Sequence, residues 1–320
     1  MLDKSPVLPP WLGLDPLLKS WLLEDIGRGD RTTSALKGPE LLVGRGEWVA
    51  KAPGRIAGLP VAERVFQLLD RDVRFEAMVA EGDRCSPGQA IARLSGGLEA
   101  LLMGERVALN LVMRLSGIAT LTRQYVEQIA DLPAMLVDTR KTTPGLRVLE
   151  KYAVAVGGAR NHRMGLDDAV MIKDNHIAAA GSITEAIARI RVQIPFPLTI
   201  EVETETLEQV EEALHSSADI IMLDNMPVDR MGQAVQLIRQ RDDRIKIEAS
   251  GNVTLETIRA VAETGVDYIS SSAPITRSSW LDLSMRLSRS GLSVDEVRPD
   301  TQCATQDRSY YELDDRTTEN

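Results

Sequence analysis

The chain has 320 residues, a formal net charge of −10, 43% hydrophobic and 26% charged residues, the composition of a globular protein with one large or two ordinary domains. The acidity excludes a general nucleic-acid or membrane-surface binder, which needs a broad field of Lys and Arg, and an aromatic content of 4% leaves few platforms for stacking single strands. Two cysteines, Cys85 and Cys303, make neither a disulfide framework nor a C-x-x-C metal spacing, so a reducing cytoplasm is the expected location. The first residues lack the basic and apolar regions of a secretory signal, and no apolar run approaches the ~20 residues of a membrane span.

Residues 1–115 are patterned differently from the rest and are expected to form a separate N-terminal α/β domain. "EGDRCSPGQAIARLSG" reads as turn, strand, turn, strand, with Pro87–Gly88 as the turn signal. The pattern is similar to a lipoyl- or biotinyl-type hammerhead, but no Lys sits at the tip, which argues against a swinging-arm carrier. A long helical stretch follows from "LEALLMGERVALN" onward. It is apolar almost all round, so burial is expected on several sides, including against another subunit, and Arg106 lies inside it.

From about residue 132 a rhythm sets in. Short apolar runs, "AMLVDTRK", "DAVMIKDNH", "LTIEVET", "DIIMLDN", "RIKIEASGN" and "VDYISSS", alternate with helical patterns. Two of these helices open with the spacing of a capping box, at Ser182/Glu185 and Thr206/Gln209. Strand–helix units in series, with strands almost continuous in Val, Ile and Leu, predict an α/β domain with a parallel sheet covered on both faces. The polar residues that end the runs are Asp138 and Arg140, Lys173, Glu203, Asp224, Glu248 with Ser250, and Ser270 with Ser271. A barrel gathers such strand ends at one mouth, whereas a doubly wound sheet would want a G-x-G-x-x-G turn that is absent here. An α/β barrel over 116–275 is therefore expected. A helix over about 276–290 is expected to rejoin the first domain, and 291–320 read as a mobile acidic tail.

Residues 138–173 hold seven bases and four acids, a local +3 in an acidic chain. A basic concavity of this kind focuses potential onto a multiply anionic small molecule. Arg140, Lys141, Arg160, Arg163 and Lys173 flank strand ends or glycines, whereas Arg147 and Lys151 read as a solvated helix face. Lys173 suits either a Schiff-base nucleophile or a phosphate ligand. Glu203 and Asp224 suit Mg²⁺, ribose hydroxyls or a cationic sugar-like transition state, or a plain structural ion pair with Lys173. His162 is either a substrate contact or a structural histidine; His176 and His215 read as structural, and no His trio has metal-ligand geometry. Ser250–Gly251, leading toward a helix N-terminus, and Ser270, Ser271 and Ser272 suit a phosphate cup.

"EDIGRGDRTT", "ERVALNLVMRLSGIAT", "DTRKTTPGLRVLEKYAVAVGGARNHRMGL", "MIKDNH", "IEVE", "IMLDN" and "EASGN" together resemble the quinolinate phosphoribosyltransferase family, in order over roughly residues 15–290. The resemblance implies an N-terminal α/β sandwich, an open barrel, and a homodimer or dimer-based oligomer with sites at the interface. It implies that quinolinate and phosphoribosyl pyrophosphate give nicotinate mononucleotide, pyrophosphate and carbon dioxide, with Mg²⁺. It places Arg140, His162, Arg163 and Lys173 around quinolinate, with Arg106 reaching in from the partner subunit. Lys141, with Lys173, is expected on the pyrophosphate side. Glu203 and Asp224 face the ribose and its metal, and Ser250, Gly251, Ser271 and Ser272 hold the 5′-phosphate. The chain departs from the family at Ser271–Ser272, where a Gly is common.

Overall fold

Two sets of strands with different patterning divide the described residues, 6–36 and 43–289 of a computed structural model. The first begins with helices α1 (Trp11–Ile26) and α2 (Arg31–Leu36). It continues through β1 (Val43–Ala50), β2 (Gly54–Arg55), α3 (Leu59–Leu69), β3 (Arg74–Ala77), β4 (Arg84–Cys85) and β5 (Ala90–Gly97). Along β1, buried Gly44, Gly46 and Trp48 alternate with Arg45 and Glu47 on the outer face, the pattern of an antiparallel sheet with one wet side. Helix α4 (Leu98–Gln128) follows, with buried residues on several faces, as its unbroken apolarity predicts. Leu109 and Leu115 of α4 pack in the core of the sandwich, while Tyr125 belongs to the core of the barrel. Gly117 of this helix touches the chain at Ser279, whose carbonyl oxygen would lie 2.0 Å from an added Cβ.

The barrel half follows the rhythm read from the sequence. Its elements are β6 (Met135–Val137), α5 (Arg147–Val156), β7 (Val170–Ile172), α6 (Asp174–Ala180), α7 (Ile183–Gln193), β8 (Ile200–Thr204), α8 (Leu207–His215), β9 (Ile220–Asp224), α9 (Val228–Arg241), β10 (Lys246–Ser250), α10 (Ile258–Ala262) and β11 (Tyr268–Ser270). The strands are parallel, in the order β6-β11-β10-β9-β8-β7, and the barrel is open because β6 and β7 are its two edges. Both expected N-caps form: the Ser182 side chain accepts from Glu185 N and that of Thr206 from Gln209 N. On β8, Ile200, Val202 and Thr204 are buried toward the helices, so Glu201 and Glu203 face the interior. Register then aligns inward residues of neighbouring strands: Glu203 beside Met222, Met222 beside Glu248, and Asp224 beside Ser250.

The C-terminal helix expected over 276–290 does not form. A single short turn, α11 (Ala273–Thr276), is followed by strand β12 (Leu283–Arg289), which pairs antiparallel with β1 and gives the sandwich sheet the order β12-β1-β5-β3. The reason lies in the spacing of Leu283, Met285 and Leu287, which repeats every second residue; all three pack on the sandwich core. The tail at 291–320 lies outside the described residues.

Candidate active site

The C-terminal ends of the barrel strands enclose a cavity of about 640 Å³. Fourteen of the residues singled out in the sequence line it: Asp138, Arg140, Lys141, His162, Arg163, Lys173, Glu203, Asp224, Glu248, Ser250, Gly251, Ser270, Ser271 and Ser272. Apart from His162 and Arg163, which lie between α5 and β7, they come from six strand ends widely spaced in the chain, the consequence of parallel strands delivering their last residues to one rim.

The cations of the rim fall into two kinds. Lys173 forms an ion pair with Glu203. Arg140, Lys141 and Arg163 have no carboxylate within ion-pair distance among the described residues, and the buried Nε of Arg140 has no hydrogen-bond partner at all. Burial and the nearby charge of Arg140 both push the Arg163 guanidinium below its usual range. Two neighbouring guanidinium groups that repel each other and have no direct ion pair, with Glu201 and Glu203 opposing the repulsion at Arg163 only from a longer range, favour a ligand with two negative charges.

His162 is held on three sides. Its Nε2 lies 3.1 Å from Glu201 and 3.5 Å from Glu248, both buried, and the backbone N–H of Arg163 donates to its Nδ1 at 2.7 Å. Burial alone would lower the ring's pKa, but hydrogen bonds to the two glutamates outweigh it and push the value up to about 10. The Arg163 N–H competes for the Nδ1 lone pair, so the imidazolium is reached only if that hydrogen bond breaks. In either state Nε2 carries a proton and donates it to the carboxylates. The three groups approach one another closely enough for a metal, but that donation leaves the ring no lone pair for one. Burial, followed by the charge of Glu248, raises the Glu201 carboxyl above its ordinary range, with His162 opposing.

Lys151 corrects the sequence reading. It is completely buried rather than solvated, and it pairs with buried Asp138 at the end of β6. Burial pushes the Asp138 carboxyl up and the Lys151 ammonium down, each partly restored by the other's charge. Arg147 is half-buried and donates to Thr142 Oγ1 and the Met164 carbonyl, so it too is not a free surface charge.

Opposite the cations lies a loop pair built for close approach. Gly251 has φ +99°, and an added Cβ would stand 2.2 Å from Asn225 Oδ1. Asn225 (φ 54°) and Asn252 (φ 51°) flank it, and Asn225 N donates to the Ser250 carbonyl at 3.0 Å. Asn adopts such left-handed geometry more readily than most residues, so "LDN" and "SGN" carried a signal for these two cavity residues that the strand-end pattern alone missed. Thr139, Thr254, Thr276 and Arg277 also line the cavity and were not singled out; nothing in their spacing marks them. The segment after Gly251 leads only to the short helix α10, seven residues on, so backbone geometry at the loop rather than a helix N-terminus shapes this wall. Ser271 lines the cavity, but its hydroxyl is engaged internally, accepting from Ala273 N at 3.2 Å. Asp224 lines the cavity and accepts from Asn225 Nδ2 at 2.9 Å. Arg106 stands apart: it is an exposed residue of α4, 3.8 Å from Glu105, and does not line the cavity of its own chain.

Fold and cavity define a barrel enzyme for anionic small molecules, with its chemistry at the strand ends. The family models "Quinolinate phosphoribosyl transferase, N-terminal domain" and "Quinolinate phosphoribosyl transferase, C-terminal domain" match residues 30–116 and 118–286. The chain is 61% identical over 282 residues to a probable nicotinate-nucleotide pyrophosphorylase [carboxylating] of Synechocystis, covering 88% of this chain and 95% of the relative. A similarly named Bacillus subtilis protein is 47% identical, with 89% and 97% covered. The crystal structure of NadC from Streptococcus pyogenes superposes with a TM-score of 0.84 at 43% identity, covering 88% of this chain and 99% of that one. The chain belongs to the quinolinate phosphoribosyltransferase family.

Proposed function

We infer that the protein transfers the phosphoribosyl group of phosphoribosyl pyrophosphate to quinolinate with loss of carbon dioxide, forming nicotinate mononucleotide and pyrophosphate on the route to NAD. The observation that carries this reading is the pair of guanidinium groups without a direct ion pair, Arg140 with its orphaned buried Nε and Arg163 beside it, facing a wall of carboxylates and small residues. A ring bearing two adjacent carboxylates satisfies the cations, and a sugar phosphate fits against Ser250, Gly251 and Ser272.

The chemistry follows from that placement. The bond from the sugar's C1′ to pyrophosphate breaks with its electron pair leaving on oxygen. The positive charge left on the ribose is stabilised by Glu203 and Asp224, carboxylates already fixed in place. The ring nitrogen donates its lone pair to C1′ and becomes a pyridinium. The bond to the adjacent carboxylate then breaks, carbon dioxide departs, and the electron pair stays on the ring carbon beside the positive nitrogen until a proton arrives. Arg140, His162, Arg163 and Lys173 would orient quinolinate for this sequence, with Lys141 on the pyrophosphate. Lys173 is occupied by Glu203, an arrangement suited to binding charge rather than to a free amine attacking a carbonyl.

Glu203 and Asp224 end adjacent strands and offer hard oxygen donors to one cavity, which fits Mg²⁺, an ion held by one or two carboxylates together with substrate oxygens. Bound there, Mg²⁺ would neutralise charge on the departing pyrophosphate. Arg106 has no place in its own chain's cavity and stands exposed on a long helix, paired only loosely with the neighbouring Glu105, so we assign it to the site of a partner subunit in a homodimer. A cytoplasmic setting suits these soluble substrates; among the described residues no helix is long and apolar enough to cross a membrane. Incubation with quinolinate, phosphoribosyl pyrophosphate and Mg²⁺ should release carbon dioxide and pyrophosphate in equal amounts. Failure to consume quinolinate under these conditions would remove the assignment.

A further inference from the structure

The sheet stops at β6 on one side and β7 on the other, and a three-residue segment occupies the seam between them. Arg160 N donates to the Leu136 carbonyl at 3.0 Å, Asp138 N donates to the Arg160 carbonyl at 3.2 Å, and Val137 and Arg160 form an isolated parallel bridge. The segment therefore runs beside β6 like a strand that begins and ends at once. It then crosses the seam, because Arg163 Nη1 donates to the Ala169 carbonyl at 2.9 Å, just before β7. His162 and Arg163, which face the ring pocket, are carried by this crossing.

What fixes the crossing is a buried hub. Asp138 accepts from His162 N at 2.8 Å, from Asn161 Nδ2 at 2.7 Å and from Lys151 Nζ. Lys151 Nζ also donates to the His162 carbonyl at 2.9 Å, and Asn161 Nδ2 to the Lys151 carbonyl at 2.8 Å. The backbone of His162 is thus gripped at both its N–H and its C=O by the two halves of one ion pair. A buried ion pair is a poor device for stability alone, since apolar residues of the same volume serve as well or better. Its particular merit is direction: three charge-assisted hydrogen bonds admit one backbone path.

We propose that Lys151, Asp138 and Asn161 are positioning residues that lock the seam segment, so that Arg163 and His162 present themselves to the ring diacid at a fixed distance and angle. Lys151 and Asn161 do not line the cavity and act only through the residues they hold. The inference rests on the reading of this cavity as a quinolinate site and adds to it which residues in and behind its wall set its selectivity.

Steady-state kinetics with each substrate varied in turn, together with thermal melting, test it on the intact protein. Asn161→Ala leaves the ion pair in place and strands no buried charge, so the fold should survive with a nearly unchanged melting temperature. It should raise KM for quinolinate about tenfold, the scale of one lost charge-assisted hydrogen bond, and leave KM for phosphoribosyl pyrophosphate within about twofold. The double variant Lys151→Met with Asp138→Asn removes the hub without leaving a lone charge and should show the same one-sided rise. Unchanged KM values alongside a lowered melting temperature would reduce the hub to a structural element and overturn the proposal, as would an equal rise for both substrates. Wild-type protein that does not turn over quinolinate would instead remove the reading of the site itself.

Discussion

At the scale of single residues, the site works by withholding partners from cations. Arg140 and Arg163 are costly to place side by side without a direct ion pair, and in the proposed reading the substrate's carboxylates supply one. Arg140→Ala should lower kcat/KM for quinolinate by about a hundredfold to a thousandfold, because truncating one side of a desolvated charge pair costs ~2–5 kcal/mol, while circular dichroism and melting show an intact fold. Arg163→Lys keeps the charge but loses the planar fork, and a loss of about tenfold is expected in the same assay. Near-native kinetics for either variant would detach that residue from the substrate. Most of these residues were legible in the sequence because a polar residue after four or five apolar ones marks a strand end. Lys151 was not, because charge spacing along a helix says nothing about which face meets a buried Asp138. Glu201 was missed for a related reason. In "IEVET" the alternation sends both 201 and 203 inward, and only the open interior of the barrel tells that both are functional neighbours.

At the scale of elements, loops that end strands set the shape and strands merely deliver them. The turn at Gly251 is possible because that residue has no Cβ and accepts a left-handed backbone. Gly251→Ala should displace the Asn225 loop and raise KM for phosphoribosyl pyrophosphate at least about tenfold, with a smaller effect on quinolinate; kinetics with each substrate varied decides this. Parallel strand–helix units were readable from end to end, since fully buried strands and capped amphipathic helices have distinct periods. The C-terminal segment was not. "WLDLSMRLS" contains apolar residues at both two-residue and helical spacings, and the free edge of β1, a long-range feature, selects the strand.

At the scale of the whole molecule, an acidic body carries a basic mouth, and one cation expected at that mouth, Arg106, stands on the surface away from it. If the partner's helix supplies it, Arg106→Ala and Arg140→Ala are each nearly inactive alone but complement one another. Mixing them under conditions that allow subunits to exchange should restore about a quarter of wild-type activity, since half the dimers are mixed and each holds one complete site. No recovery would place Arg106 outside the catalytic machinery. A contribution of this kind would lie beyond a single chain's sequence pattern, because symmetry, not chain order, would bring the residue to the cavity.

The claim beneath all of this is that two guanidinium groups await two carboxylates. Isothermal titration of the wild-type protein with quinolinate and with nicotinate, which lacks the second carboxylate, tests it most directly. Quinolinate should bind at least about thirtyfold more tightly, the low end of the cost of stranding a desolvated Arg. Equal affinities for the two acids would contradict the account.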